Sequence, residues 1–218
     1  MMIRTALFAS LAALALAGCK DPAEGAAKAT VGEAKQPAAE APAAAAPAAT
    51  EALPISGETS KISFVGAKVT GTHDGGFKDF KGTIHLDPAK FEASRIEIEI
   101  DMNSVYTDND NLTEHLKTGD FFLVSEHPTA RFVSTEITPG GADGATHTIT
   151  GNLTLRGVTK GVTIPAKIEV TPEAVRATSE FALPRQQFGV SFAGQPDNLI
   201  RDDVLIKLDV NAPRTAAK

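Results

Sequence analysis

"RIEIEIDM", residues 95–102, alternates without a break. Ile96, Ile98, Ile100 and Met102 fall on one side of an extended chain, and Glu97, Glu99 and Asp101 on the other. Successive side chains of a strand point to opposite faces, so this stretch predicts a strand with one apolar face and one face in water. That is the pattern of antiparallel sheets. "VTIPAKIEV" (162–170) repeats it with Val162, Ile164, Ala166, Ile168 and Val170, and "DVLIKLDV" (203–210) with Val204, Ile206, Leu208 and Val210. "TITGNLTL" (148–155) and "VRATSEFAL" (175–183) alternate less purely and carry Gly151, Ala177 and Ser179 at inward positions.

Turn-forming clusters separate these runs: "THDGG" (72–76), "DPAK" (87–90), "TPGGADG" (138–144), "RGVTKG" (156–161) and "TPEA" (171–174). The spacing predicts an all-β fold of about eight strands with short connections. No long helix is available to cover a sheet face. An up-and-down meander closed into an eight-stranded antiparallel β-barrel buries the apolar faces and leaves no edge. Such a barrel is wide enough to hold one small ligand. A two-sheet sandwich would bury the same faces without a lumen.

The N-terminal region reads differently. Arg4 and the apolar "TALFASLAALALAG" (5–18) form an export signal, too short and alanine-rich for a membrane span. "LAGC" (16–19) resembles the lipobox of bacterial lipoproteins. By that resemblance the chain is cut before Cys19, and the thiol carries a lipid. Cys19 is the single cysteine of the chain, so lipidation leaves no disulfide. Residues 19–56 are read as an Ala/Pro-rich disordered tether with an r.m.s. reach of roughly 35 Å. The folded domain is then placed at residues 57–213. A net charge of −6 gives no reason to expect nucleic acid as a partner.

One segment breaks the β pattern. "NLTEHLKTGDFF" (111–122) carries Leu112 and Leu116 four residues apart, followed by Phe121 and Phe122. It predicts one short helix between the third and fourth strands, capped by Asn111 with Glu114 in a capping box and ended at Gly119. Its apolar face is expected to pack over or beside the lumen opening. The search for chemistry is otherwise thin. The five histidines are dispersed, with no metal-binding spacing. "DNDNLT" (108–113) begins like a calcium loop, but Thr113 and Gly119 stand where glycine and glutamate are required. An enzyme reading needs a polar cluster inside the lumen, for which His115 and Arg185 are the candidates.

"GGFKDFKGTIHLDP", "IEIEIDMNSVYTDNDNLTEHLKTGDFFLVSEHPTARFVSTEI", "ITGNLTLRGVTKGVTIPAKI", "RQQFGVSF" and "DDVLIKLDV" together resemble the bacterial YceI-like family, in order along the domain. The resemblance implies a lipocalin-like barrel exported to the periplasm that binds polyisoprenoid lipids or quinone-type molecules. Where relatives often carry an Arg-Asp pair before the His-Leu of the helix, this chain reads "LTE" (112–114). The expected ligand contacts are Phe64, Ile84, Ile98, Ile100, Leu112, Leu116, Phe121, Phe122, Phe132, Leu153, Leu155, Ile164, Phe181 and Ile206. Ten of the chain's eleven phenylalanines lie in the domain and there is no tryptophan, which suits a hydrocarbon better than a polar metabolite. The expectation is a non-enzymatic binding protein with an isoprenoid lipid or quinone as its only bound group. It is placed in the cell envelope and anchored through Cys19, at the outer rather than the inner membrane. The alternative is an assembly module whose barrel is filled by its own side chains.

Overall fold

The structure is a computed structural model and describes residues 21–35, 51–196 and 198–214. The expected signal segment and Cys19 lie outside the described residues. In chain order the strands are β1 (Thr30–Gly32), β2 (Glu51–Ser56), β3 (Lys61–Lys68), β4 (Gly71–Phe77), β5 (Phe80–Leu86), β6 (Arg95–Asp101), β7 (Val105–Thr107), β8 (Thr129–Pro139), β9 (His147–Leu155), β10 (Val158–Val170), β11 (Ala174–Pro184), β12 (Gly194–Gln195), β13 (Asn198–Leu199) and β14 (Asp203–Pro213). The single α-helix among the described residues, α1 (Asp110–Lys117), lies between β7 and β8.

The ladder runs β2-β5-β6-β8-β9-β10-β11-β14-β3-β4-β7, all antiparallel. It closes because β2 and β3 are consecutive parts of one run: β2 pairs β5 while β3 pairs β14. Three of the long strands are broken once, into β2–β3, β4–β5 and β6–β7. Counted as continuous runs these three, with β8, β9, β10, β11 and β14, give the expected eight. The inward faces form one apolar cluster that includes Ile84, Ile96, Ile149, Ile164 and Phe181. Val170, expected on that face, is 45% exposed because it sits at the last pair before the β10–β11 turn.

The three breaks lie side by side and form a crease. Gly57 follows β2 at a point where a Cβ would run into the carbonyl oxygen of Lys78, so only glycine lets the two strands approach. Across the crease Lys78 N–H donates to Ser104 O, and Asp101 N–H donates to Asp79 O. The "THDGG" cluster, expected as a turn, instead lies within β4. Its glycines serve packing: the Phe64 ring covers Gly75, and the Tyr106 ring stands over Gly76. The hairpin turn is at Val69 and Thr70. In "RGVTKG" only Arg156 and Gly157 turn, both at positive φ, as a two-residue hairpin of primed type requires.

Two parts of the expected tether are in the sheet. Leu53 and Ile55 of β2 are fully buried, which moves the edge of the barrel N-terminal to residue 57. Residues 21–35 lie along the barrel. Ala23 and Ala26 pack on the outward-facing Leu205 and Val65, and Lys28 pairs with Asp203 at 2.5 Å. The alternation in "DVLIKLDV" hides this, because Leu205 sits at a nominally solvated position and is covered from outside.

Beyond β11 the chain makes a 3₁₀ turn (Arg185–Phe188) and returns across one end of the barrel through β12 and β13. Arg185 holds this return. It is 5% exposed, and its guanidinium donates to the carbonyl oxygens of Val190 (2.6 Å), Arg201 (2.9 Å), Phe192 (2.9 Å) and Ile200 (3.3 Å). Burial lowers its pKa, and the Asp202 carboxylate opposes that shift. Substituting Arg185→Met strands four carbonyls at ~1–3 kcal/mol for each that stays buried and unpaired. We expect a loss of at least about 3 kcal/mol in a urea melt. A loss under about 1 kcal/mol would mean that water replaces the guanidinium without cost.

Candidate functional site: an apolar lumen

The alternation that buries one face of every strand leaves a cavity of about 510 Å³ inside the barrel. Its wall is almost wholly apolar. One half is built from the unbroken strands, with Leu153 and Leu155 of β9, Ile164 and Ile168 of β10, Phe181 of β11 and Ile206 of β14. The creased strands supply Phe64, Ile84, Ile98, Ile100 and Met102. Phe132 of β8 lies across Gly151, its ring occupying the place where a Cβ would stand. Gly151, although at an inward position, therefore adds no free room to the lumen: that ring takes it.

Helix α1 closes one end. Its N-cap is Asn109, whose Oδ1 accepts from Leu112 N–H at 3.0 Å, two residues before the expected Asn111–Glu114 box. The helix ends at Thr118, whose hydroxyl donates to His115 O, one residue before the expected Gly119. Asn109 takes the cap because Thr107 turns the chain there, its Oγ1 donating to Asn109 O at 2.7 Å. The shift keeps Leu112 and Leu116 on one face. Leu116 and Phe121 are buried with Val105 and Val190, and Leu112, Phe122 and Phe192 pack against them. Leu112, Leu116, Phe121 and Phe122 all line the cavity, so the helix is part of its wall.

Every one of the fourteen residues named from the sequence lines this cavity. The sequence reading missed Phe77, Phe91 and Phe192, which also line it. Phe77 links Phe64 to Phe122 with ring centroids 5.9 and 6.2 Å apart. A stronger use of the phenylalanine count would have found all three, since each precedes or follows a turn and none sits in a clean alternating run.

Polar groups reach the cavity at the α1 end: Lys68, His73, His115, Gln195 and Asn198. His115 Nε2 lies 2.8 Å from Asp120 Oδ2, with its ring edge against Phe121 and Phe192. His73 Nδ1 lies 2.8 Å from Asp108 Oδ1. The His73 hydrogen bond holds the Asp108 carboxyl below its ordinary pKa, against the smaller opposing effect of burial. Arg185 lines the cavity but spends its donors on backbone carbonyls. His115 and Arg185 thus belong to separate hydrogen-bond sets. Among the described residues no group of three or more His, Cys, Asp and Glu side chains is gathered to hold a metal.

Comparisons with known proteins bear on this geometry. The model of the YceI-like domain matches residues 54–212. A UPF0312 protein of Pseudomonas aeruginosa (strain LESB58) is 47% identical over 94 residues, 43% of this chain and 48% of the relative. A UPF0312 protein of Pectobacterium atrosepticum is 44% identical over 94 residues, 43% of this chain and 47% of the relative. The chain spans about half the length of the curated relatives it matches. Among solved structures, BcnA of Burkholderia cenocepacia aligns with a TM-score of 0.62 at 27% identity, over 70% of this chain and 96% of that one. A polyisoprenoid-binding domain from Saccharophagus degradans, implicated in plant cell wall breakdown, aligns with a TM-score of 0.60 over 76% of this chain and 99% of that one. At 13% identity it shares the fold. With the domain matched from the middle of β2 to the last residues of β14, residues 54–212, the chain belongs to the YceI-like family.

Proposed function

We propose that the protein binds one apolar lipid of isoprenoid type, polyprenyl or quinone-like, in the barrel lumen, and carries or stores it without altering it. The observation that carries this reading is the cavity: about 510 Å³, apolar on nearly all sides, and within the roughly 300–1,000 Å³ of sites that enclose small ligands. A filled assembly module has no use for that volume. The family membership supports the reading, as does the fold shared with a polyisoprenoid-binding domain. Separation of His115 and Arg185 into different hydrogen-bond sets favours carriage over catalysis. The lipobox-like "LAGC" supports anchoring through a lipid on Cys19, with the barrel in the periplasm at the outer membrane.

The lumen is tested at Leu153, which lines it opposite Phe132 in the β8–β9 register. Leu153→Trp is expected to abolish binding of a polyprenol or quinone in titrations of delipidated protein. Its stability cost in urea is expected to stay under about 1 kcal/mol, because the added volume enters open space. Binding unchanged together with a loss of ~1–3 kcal/mol would mean that the interior there is close-packed, and the carrier reading would fall.

The anchor is tested separately by fractionating cells that express Cys19→Ser. Acyl chains contribute ~0.8 kcal/mol per buried CH₂, which the Ala/Pro-rich residues after Cys19 cannot replace. The folded domain is expected in the soluble fraction. If it still pellets with membranes, anchoring through Cys19 is wrong.

A further inference from the structure

The β10–β11 hairpin does not stay zipped. Its ladder runs from Val170↔Val175 to Lys167↔Thr178 and stops. Pro165 is the reason. Its carbonyl faces β11, accepting from Ser179 Oγ at 2.5 Å, so the side of the residue that should donate an N–H to β11 has none. Beyond it the two strands part, and residues 27–32 lie between them. Thr30–Gly32 pairs antiparallel with residues 161–163 of β10. On the other side Ala29 N–H donates to Ala182 O, and Ala182 N–H donates to Ala27 O, in a parallel bridge to β11. The chain's own N-terminal segment is therefore a stave set into a split in the barrel wall. The lumen residues Val162 and Ile164 stand on one side of the split, and Phe181 and Leu183 on the other.

We propose that this split is a lateral portal for the apolar chain of the ligand, and that residues 21–35 form the strap that closes it. The inference rests on the carrier reading above. Three observations point to a removable stave. The family domain begins at residue 54, so the split belongs to the domain and the strap comes from outside it. The strap gives the interior only Ala29 and the half-buried Val31, where its neighbours give isoleucine, leucine and phenylalanine. Its side-chain ties to the barrel lie at the surface: the ion pairs Lys28–Asp203, Lys35–Glu136, Lys160–Glu33 and Arg201–Asp21, and the Asn152 amide on the Lys35 backbone; surface ion pairs of this kind hold weakly. Gly161 matches this arrangement, since a Cβ there would strike the carbonyl of Glu33 as the strap leaves the wall. The portal opens onto the side of the lumen, so a long hydrocarbon can pass sideways from a bilayer without threading past α1.

A disulfide tests the strap directly. Thr30 and Thr163 are register partners, and directly opposed residues of an antiparallel pair lie within disulfide reach. In a Cys19→Ser background, Thr30→Cys with Thr163→Cys fastens the strap when oxidised. The probe is geranylgeraniol carrying a fluorophore, supplied in phosphatidylcholine vesicles. Loading is expected to slow about tenfold or more on oxidation, to recover on reduction, and to reach the same final occupancy in both states. Ala29→Glu, which puts a carboxylate against the interior, is expected to free the strap and speed loading. Equal loading rates for oxidised and reduced protein would overturn the portal while leaving the carrier reading intact. No loading in either state, with the wild type also empty, would overturn both.

Discussion

The crease across β2–β3, β4–β5 and β6–β7 is the constraint on which the rest of the barrel depends. Three neighbouring strands change direction at one level, and each must keep its backbone groups paired through the bend. Gly57 permits the closest approach, Lys78 and Asp79 exchange hydrogen bonds with Ser104 and Asp101, and the 3₁₀ turn at Met102–Ser104 carries the third strand across. Because β2 and β3 lie on opposite sides of the bend, one run of chain pairs with β5 below it and with β14 above it. Ring closure follows from that double use.

Above the crease the third strand leaves β8, and Met102 N–H makes its last tie there to Pro128 O. Helix α1 and the two phenylalanines after it occupy the divergence. This explains why a β protein interrupts itself for one short amphipathic helix: the helix is the piece of wall that a strand cannot supply at that angle. The rings that cover glycines act in the same sense. Phe64 over Gly75 and Phe132 over Gly151 lay flat apolar surface along the wall, which lines the lumen without filling it.

Much of this was legible in the sequence. Strict alternation in "RIEIEIDM" and "DVLIKLDV" identified inward residues correctly, since a half-buried strand leaves no other arrangement for them. The eight runs were visible for the same reason. Glycine misled the reading at "THDGG", because it signals either a turn or a close approach and the sequence alone does not say which. "THDGG" was the second kind, and Gly151 was covered by a ring. The cap on α1 was displaced by Thr107, a residue outside the helical pattern. The strap was the largest omission. Alanine, glycine and proline in residues 21–35 look like tether because they offer little to bury, yet small side chains are what a narrow split can accept. Pro165 in the middle of "VTIPAKIEV" was the signal: a proline within an otherwise central strand marks a place where a ladder stops.

An unfilled apolar interior has an energetic consequence. Cavities left by truncating core residues cost roughly 24 cal/mol per Å³. At that rate a closed, dry volume of about 510 Å³ would cost at most roughly 12 kcal/mol, as large as the whole stability of an ordinary domain. The barrel can hold such a space because its wall stands on hydrogen bonds between strands and not on side chains meeting across the middle. The same figure bounds what a ligand recovers. A hydrocarbon that meets this wall restores dispersion contacts that water cannot make, and with few polar groups to desolvate it gives back little. Selectivity then comes from length and girth along the wall, and the scattered polar groups beside α1 are left to choose among head groups.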